Sequence, residues 1–110
     1  MTVKNLIEKL NLTVLTEDDT DREIDGCYCG DLLSWVMSRA QSGNVWLTVM
    51  GNINAVAVAT LADISCIILT ENAVLDEDAK AKAKIAGVTI LQTDKNAYET
   101  AVKISKLIER

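Results

Sequence analysis

The stretch that most constrains this chain is Val45-Trp46-Leu47-Thr48-Val49-Met50-Gly51-Asn52-Ile53-Asn54-Ala55-Val56-Ala57-Val58-Ala59. Its first five positions are nearly all apolar, which suits a strand covered on both faces. Gly51 supplies a sharp turn. Asn52 or Asn54 can cap the helix that follows. That helix runs to Ala62 and is built almost wholly of Ala, Val, Ile and Leu. A helix apolar on so many sides needs cover beyond one sheet. A second copy of the chain is the expected cover, with Ile53 to Ala62 as the interface.

The rest of the chain reads as further units of the same kind. Thr2 can cap a first helix to Leu10, in which Val3, Leu6, Ile7 and Leu10 share a face. Leu12 to Leu15 reads as a short strand, with Leu12 and Val14 inward. Glu17 to Asp21 is an acidic turn. Arg22 to Cys29 is expected to be extended, with Ile24 inward. Asp31 is expected to cap a helix over Leu32 to Gln41, closed by Ser42-Gly43-Asn44 with Gly43 left-handed. Ser65 to Leu69 and Val88 to Leu91 read as buried strands. Between them Asp76 caps a helix from Glu77 to Ala86, which Gly87 ends. Asp94 is expected to cap the last helix, where Ala97, Ala101, Ile104 and Ile108 recur at helical spacing. Strands alternating with short helices imply an α/β fold of three layers, α/β/α, with a mostly parallel central sheet.

With 110 residues the chain is expected to be one domain, residues 1–110. The formal charge is -5 and no run of basic residues appears, so nucleic-acid binding is disfavoured. No apolar run reaches the roughly 18 residues that span a bilayer. Three cysteines without a signal peptide point to a reducing cytoplasm. Histidine is absent, which removes the commonest general base and metal ligand. Without it, no serine has a partner for a triad. None of the five glycines belongs to Gly-x-x-x-x-Gly-Lys-Ser/Thr, so P-loop phosphoryl transfer is excluded.

Four places invite a site. A glycine turn at a strand's C-terminal end presents helix N–H groups to an anion. Thr48, Met50, Gly51, Asn52 and Asn54 are therefore candidate ligand-binding residues, together with Arg22 and Asp31, the alternative being an ordinary turn capped by Asn. Arg22 could hold an anion, or pin its loop by pairing with Asp21 or Asp31. Cys27 and Cys29 project to one side of a strand and with Cys66 could offer three thiolates to a metal. Zinc prefers four ligands at wider spacing, so buried free thiols are the alternative and no metal is expected. Glu17 to Asp21 lacks the glycine and closing Glu of a calcium loop and reads as a solvated turn.

The opening, Thr2 to Leu12 through Asp21-Arg22-Glu23-Ile24, resembles the N-terminal domain of HPr kinase/phosphorylase. The whole chain, including Asp31-Leu32-Leu33-Ser34, Val45-Trp46-Leu47-Thr48 and the Ala-Val helix, resembles a stand-alone DRTGG domain, a family similar in fold to that kinase domain. The Asp-Arg-Thr-Gly-Gly signature itself is not present. Asp21-Arg22 keeps two of its letters, and the strand–helix turn reads Gly51-Asn52-Ile53-Asn54-Ala55. The resemblance implies an α/β/α accessory module, regulatory or structural and often dimeric. It is found in phosphotransacetylases, in pyrophosphatases with nucleotide-sensing domains, and beside iron hydrogenases.

The expectation is thus a cytoplasmic, homodimeric, non-enzymatic regulatory or protein-interaction module without a cofactor, binding a small anionic ligand at the Gly51 turn and docking on itself or an enzyme partner. The alternatives are an adenine-nucleotide or phosphate sensor, and an assembly or regulatory helper of a redox enzyme such as an iron hydrogenase.

Overall fold

The structure, a computed structural model, describes residues 1–108. Five helices and five strands follow in the order α1 Val3–Leu10, β1 Thr13–Thr16, β2 Cys27–Cys29, α2 Leu33–Arg39, β3 Val45–Thr48, α3 Ile53–Leu61, β4 Cys66–Leu69, α4 Glu77–Ala86, β5 Ile90–Gln92 and α5 Ala97–Leu107, alternating from β2 onward. One sheet carries all five strands in the order β1-β5-β4-β3-β2. β2 to β5 are parallel neighbours, and β1 pairs antiparallel with β5 at the edge. The expected α/β/α fold with a mostly parallel sheet is what forms.

The topology fixes the layers. Each step from β2 to β5 moves one strand along the sheet in the same direction. A right-handed crossover then puts every connecting helix on one face. α2, α3 and α4 form that layer, packed on Trp46, Ile67, Leu69 and Ile90. α1 and α5 cover the other face, on Val45, Leu47, Cys66, Ile68 and Leu91. The period-2 alternation of side chains along each strand sorts these two sets. Covered on both faces, β3 and β4 are buried at every position, as their unbroken apolar runs require. The indole of Trp46 is fully buried, and its Nε1 donates to the Gly30 carbonyl at 2.8 Å.

α3 runs between α2 and α4. Ala55, Val56, Val58 and Ala59 are buried, so its two neighbours supply much of the cover that its composition demands. Ile53, Ala57 and Leu61 remain exposed, at spacings of four along one outer stripe.

Several local expectations are corrected. Arg22 to Cys29 is not one strand. Its first part pairs with the N-terminus instead, through Val3 N to the Arg22 carbonyl at 3.0 Å and Ile24 N to the Met1 carbonyl at 2.9 Å. Only Cys27–Cys29 joins the sheet. Val14 is exposed, on the edge strand β1. α2 stops at Arg39, two residues early, since Ala40 is already extended and Asn44 Oδ1 accepts from Gln41 N at 2.9 Å. Gly43 is left-handed as expected but stands in the following turn. Asp94 does not cap α5: Asn96 does, accepting from Glu99 N at 2.8 Å. Asp76 holds the N-cap position of α4 without a side-chain hydrogen bond.

Candidate functional site

The C-terminal ends of parallel strands are where open α/β sheets hold ligands. Here the ends of β2, β3 and β4 and the start of α5 enclose a cleft of about 250 Å³, lined by Cys29, Asp31, Thr48, Val49, Glu71 and Ala97 among others. Each strand delivers its part. β2 runs out into Cys29-Gly30-Asp31, β3 into Thr48-Val49, and β4 into Thr70-Glu71.

Asp31 does different work from the capping role expected of it. Leu32 occupies the N-cap position of α2 and no side chain caps that helix. Asp31 Oδ1 instead accepts from Thr48 Oγ1 at 2.7 Å and from Val49 N at 3.0 Å. Thr48 Oγ1 in turn accepts from Met50 N at 3.1 Å. One carboxylate therefore fixes the path of the chain as it leaves β3.

The Gly51 turn lies beside this cleft, and its open space is taken by the protein itself. A Cβ on Gly51 would meet the Val74 carbonyl oxygen at 2.0 Å. Asp76 N donates to the Gly51 carbonyl at 2.8 Å, stitching the β3–α3 turn to the β4–α4 loop. Asn52 caps α3, accepting from Ala55 N at 2.9 Å, and Asn54 is exposed on the first turn. Besides the sharp turn read from the sequence, the glycine permits a close approach of the Val74 backbone.

Glu71 was not singled out by sequence. It enters the cleft through a turn in which Glu71 and Asn72 are both left-handed, at φ 56° and 54°, closed by Ala73 N to the Thr70 carbonyl at 3.0 Å. Two successive non-glycine residues in that region carry backbone strain. The turn is held by Glu71 N to the Lys95 carbonyl at 2.9 Å and Asn72 N to the Thr93 carbonyl at 2.8 Å.

Arg22 lies at the other end of the sheet. It pairs with neither Asp21 nor Asp31. Its Nη1 is 3.0 Å from Asp63 Oδ1 and its Nη2 donates to the Asp63 carbonyl at 2.8 Å, in the turn before β4. Hydrogen bonds from Ser42 and then Arg22 hold the Asp63 carboxyl below its usual range.

The three thiols do not converge. Cys27 faces Val45, and Val45 faces Cys66, so Cys66 sits two strands from Cys27, roughly 10 Å away at the usual strand spacing. Among the described residues no group of three His, Cys, Asp or Glu side chains could hold a metal ion. Cys27 and Cys29 do interact. The Cys27 thiol donates to Cys29, which draws the Cys29 thiol down to about 7 against the opposing effects of burial and the Asp31 carboxylate. The same bond, with burial, pushes Cys27 up. Burial alone pushes Cys66 up to about 12.

The cleft therefore offers a carboxylate already engaged by two donors, a second carboxylate on a strained turn and one exposed, acidified thiol. It holds no base–nucleophile pair. The DRTGG domain profile matches residues 5–107. The chain belongs to the DRTGG domain family. A similar solved structure is the regulatory region of Clostridium perfringens pyrophosphatase, comprising CBS and DRTGG domains in complex with its activator diadenosine tetraphosphate. The TM-score is 0.73 at 11% identity, over 94% of this chain and 45% of that one. At that identity the likeness is one of fold, and this DRTGG-family chain spans less than half of the region it matches. No curated protein matches it. No helix among the described residues is long and apolar enough to cross a membrane.

Proposed function

We propose that this DRTGG-family protein is a non-enzymatic regulatory module that works by contact, pairing with a second copy or docking on an enzyme partner through the outer face of α3 and its neighbours. The observation that carries this reading is the distribution of exposed large apolar side chains. The α2–α4 layer presents Leu32, Trp35, Met37, Ile53, Leu61 and Ile85, whereas the opposite face presents Tyr98 and, beside α1, Val14. A one-sided distribution of this kind is what an interaction surface needs. Membership of the DRTGG family supports a regulatory role, and three free thiols fit a reducing cytoplasm.

Sedimentation velocity at tens of micromolar tests the self-association. The wild type should run as a dimer and Leu61→Glu as a monomer, because Leu61 is 71% exposed and contributes little to the subunit's own core. A wild type that stays strictly monomeric sinks the homodimer.

A second reading, an adenine-nucleotide or phosphate sensor, is favoured by the activator bound to the pyrophosphatase region. The cleft beside the Gly51 turn carries Asp31 and Glu71, whose charges disfavour such an anion there. Thermal-shift measurements with adenine nucleotides at millimolar concentration test it, and no stabilisation by any of them removes it. The redox-helper alternative rests on the family resemblance and the three thiols, of which Cys27 and Cys29 interact. A triple Cys→Ala variant that still supports the partner enzyme would dispose of it.

A further inference from the structure

We infer that the protein carries a second binding site, for an oligophosphate chain, in the cleft where Lys9, Lys95 and Lys103 converge. This inference deepens the nucleotide-sensor reading by giving it a place, and it is independent of self-association.

The three lysines are far apart in sequence. Lys9 is in the last turn of α1, Lys95 in the β5–α5 loop and Lys103 midway along α5. The fold brings them to the rim of one open cleft of about 560 Å³. That volume falls within the range of small-molecule sites, about 300–1,000 Å³. Its remaining lining is mostly hydrogen-bonding: Asn11, Thr13, Asn72, Gln92 and Thr93. Asn11 and Asn72 both stand in left-handed backbone at the two sides of the opening. The bonds from Glu71 and Asn72 to the Lys95 and Thr93 carbonyls tie the β4–α4 turn to the loop that bears Lys95.

The charge balance is the main argument. Acids outnumber bases in this chain, 16 to 11, yet the cleft lining holds three lysines against the one carboxylate of Asp94. Neither salt bridge among the described residues uses a lysine. Three lysines on one cleft, none of them in those salt bridges, give it a positive potential that attracts a multivalent anion. The C-terminal end of α1 opposes an anion with about half a charge, less than the net of two positive charges that the side chains supply. Beside the cleft, Leu10 and Leu107 floor an apolar groove of about 240 Å³ that shares Lys9 and Lys103 and adds Lys106. A phosphate chain on the lysines with an apolar or aromatic body on the leucines is the ligand class this pair of surfaces suits.

Isothermal titration calorimetry with tripolyphosphate and with ATP, each without metal, tests the site on the full chain. The test variant is Lys9→Gln, Lys95→Gln, Lys103→Gln. The control is Lys80→Gln, Lys82→Gln, Lys84→Gln on α4, which removes the same three positive charges from a formal charge of -5. The wild type and the control should bind alike, and the test variant at least tenfold more weakly. Lys103→Gln alone should lose several-fold, which keeps the site testable if the triple variant folds poorly. ATP binding more tightly than tripolyphosphate supports the nucleotide reading as well. Equal binding of the two supports the site and counts against a nucleotide specificity. No heat with either anion, or equal losses in test and control variants, overturns the inference.

Discussion

Asp31 Oδ1 and Thr48 Oγ1 lie 2.7 Å apart, joining the end of β2 to the end of β3. Thr48 is buried, so its hydroxyl needs a partner inside the protein. Asp31→Ala takes the acceptor from the Thr48 O–H and the Val49 N–H, leaving Thr48 Oγ1 only its bond from Met50 N, and should cost about 1–2 kcal/mol in a urea melt. Asp31→Asn keeps an oxygen at Oδ1 and should cost less than half as much. Equal stability of Asp31→Ala and the wild type would show that water replaces the carboxylate at no cost.

Gly51 sets a harder limit. An added methyl would lie 2.0 Å from the Val74 carbonyl oxygen and 3.0 Å from the Leu75 Cα, both backbone atoms that cannot rotate away. Gly51→Ala must separate the β3–α3 turn from the β4–α4 loop and stretch the Asp76 N to Gly51 carbonyl bond. A loss of about 2–4 kcal/mol is expected, read as a fall in urea midpoint with an unchanged slope. Val74→Ala should not rescue it, because the clash is with the main chain.

What the sequence could show of this arrangement follows physical range. β3 and β4 were legible because a strand buried on both faces has to be apolar throughout. The Asn52 cap and the left-handed Gly87 were legible because each depends on neighbours within three or four residues. Asp31 read as a cap because its local pattern fits one, and only the register of β2 against β3 brings Thr48 to it. Asp94 and Asn96 both suit a cap by type, and the path out of β5 chooses Asn96. Arg22 finds its partner 41 residues away in the α3–β4 turn, at no helical or strand spacing. Lys9, Lys95 and Lys103 are far apart in sequence, and only the fold sets their elements side by side. For Gly51 the sequence showed a turn, and only the fold brings the Val74 backbone against it.

The Arg22–Asp63 pair should contribute modestly, because both side chains are open to solvent, 30% and 61% exposed. Arg22→Ala also removes the bond to the Asp63 carbonyl, so the expected loss is about 1 kcal/mol. The pH dependence has a definite sign. Asp63 is held below its ordinary value of 3.8 in the folded protein. Its contribution is therefore present above 3.8 and lost as pH falls through the lower folded value. The stability gap between wild type and Asp63→Asn, measured by denaturant melts, should be largest near neutrality and close in strong acid. A gap that widens on acidification would contradict the assignment.

Cys29 is the exposed member of the Cys27–Cys29 pair, and the thiolate rather than the thiol attacks an alkylating agent. With its thiol drawn down to about 7, the rate of iodoacetamide modification at Cys29 should rise through that pH and level off above it. Cys66, fully buried and pushed up to about 12, should stay unmodified until the protein unfolds. The cause is separable by mutation. Cys27→Ala deletes the donor and should return the Cys29 midpoint toward the ordinary value of 9.0, slowing modification at neutral pH several-fold. Asp31→Asn removes a negative charge that disfavours the thiolate, so the midpoint should fall slightly instead. Opposite shifts in the two variants, followed by mass spectrometry of the modified peptide, would fix the Cys27 hydrogen bond as the dominant influence. A midpoint unmoved by Cys27→Ala would assign the low value to some other group.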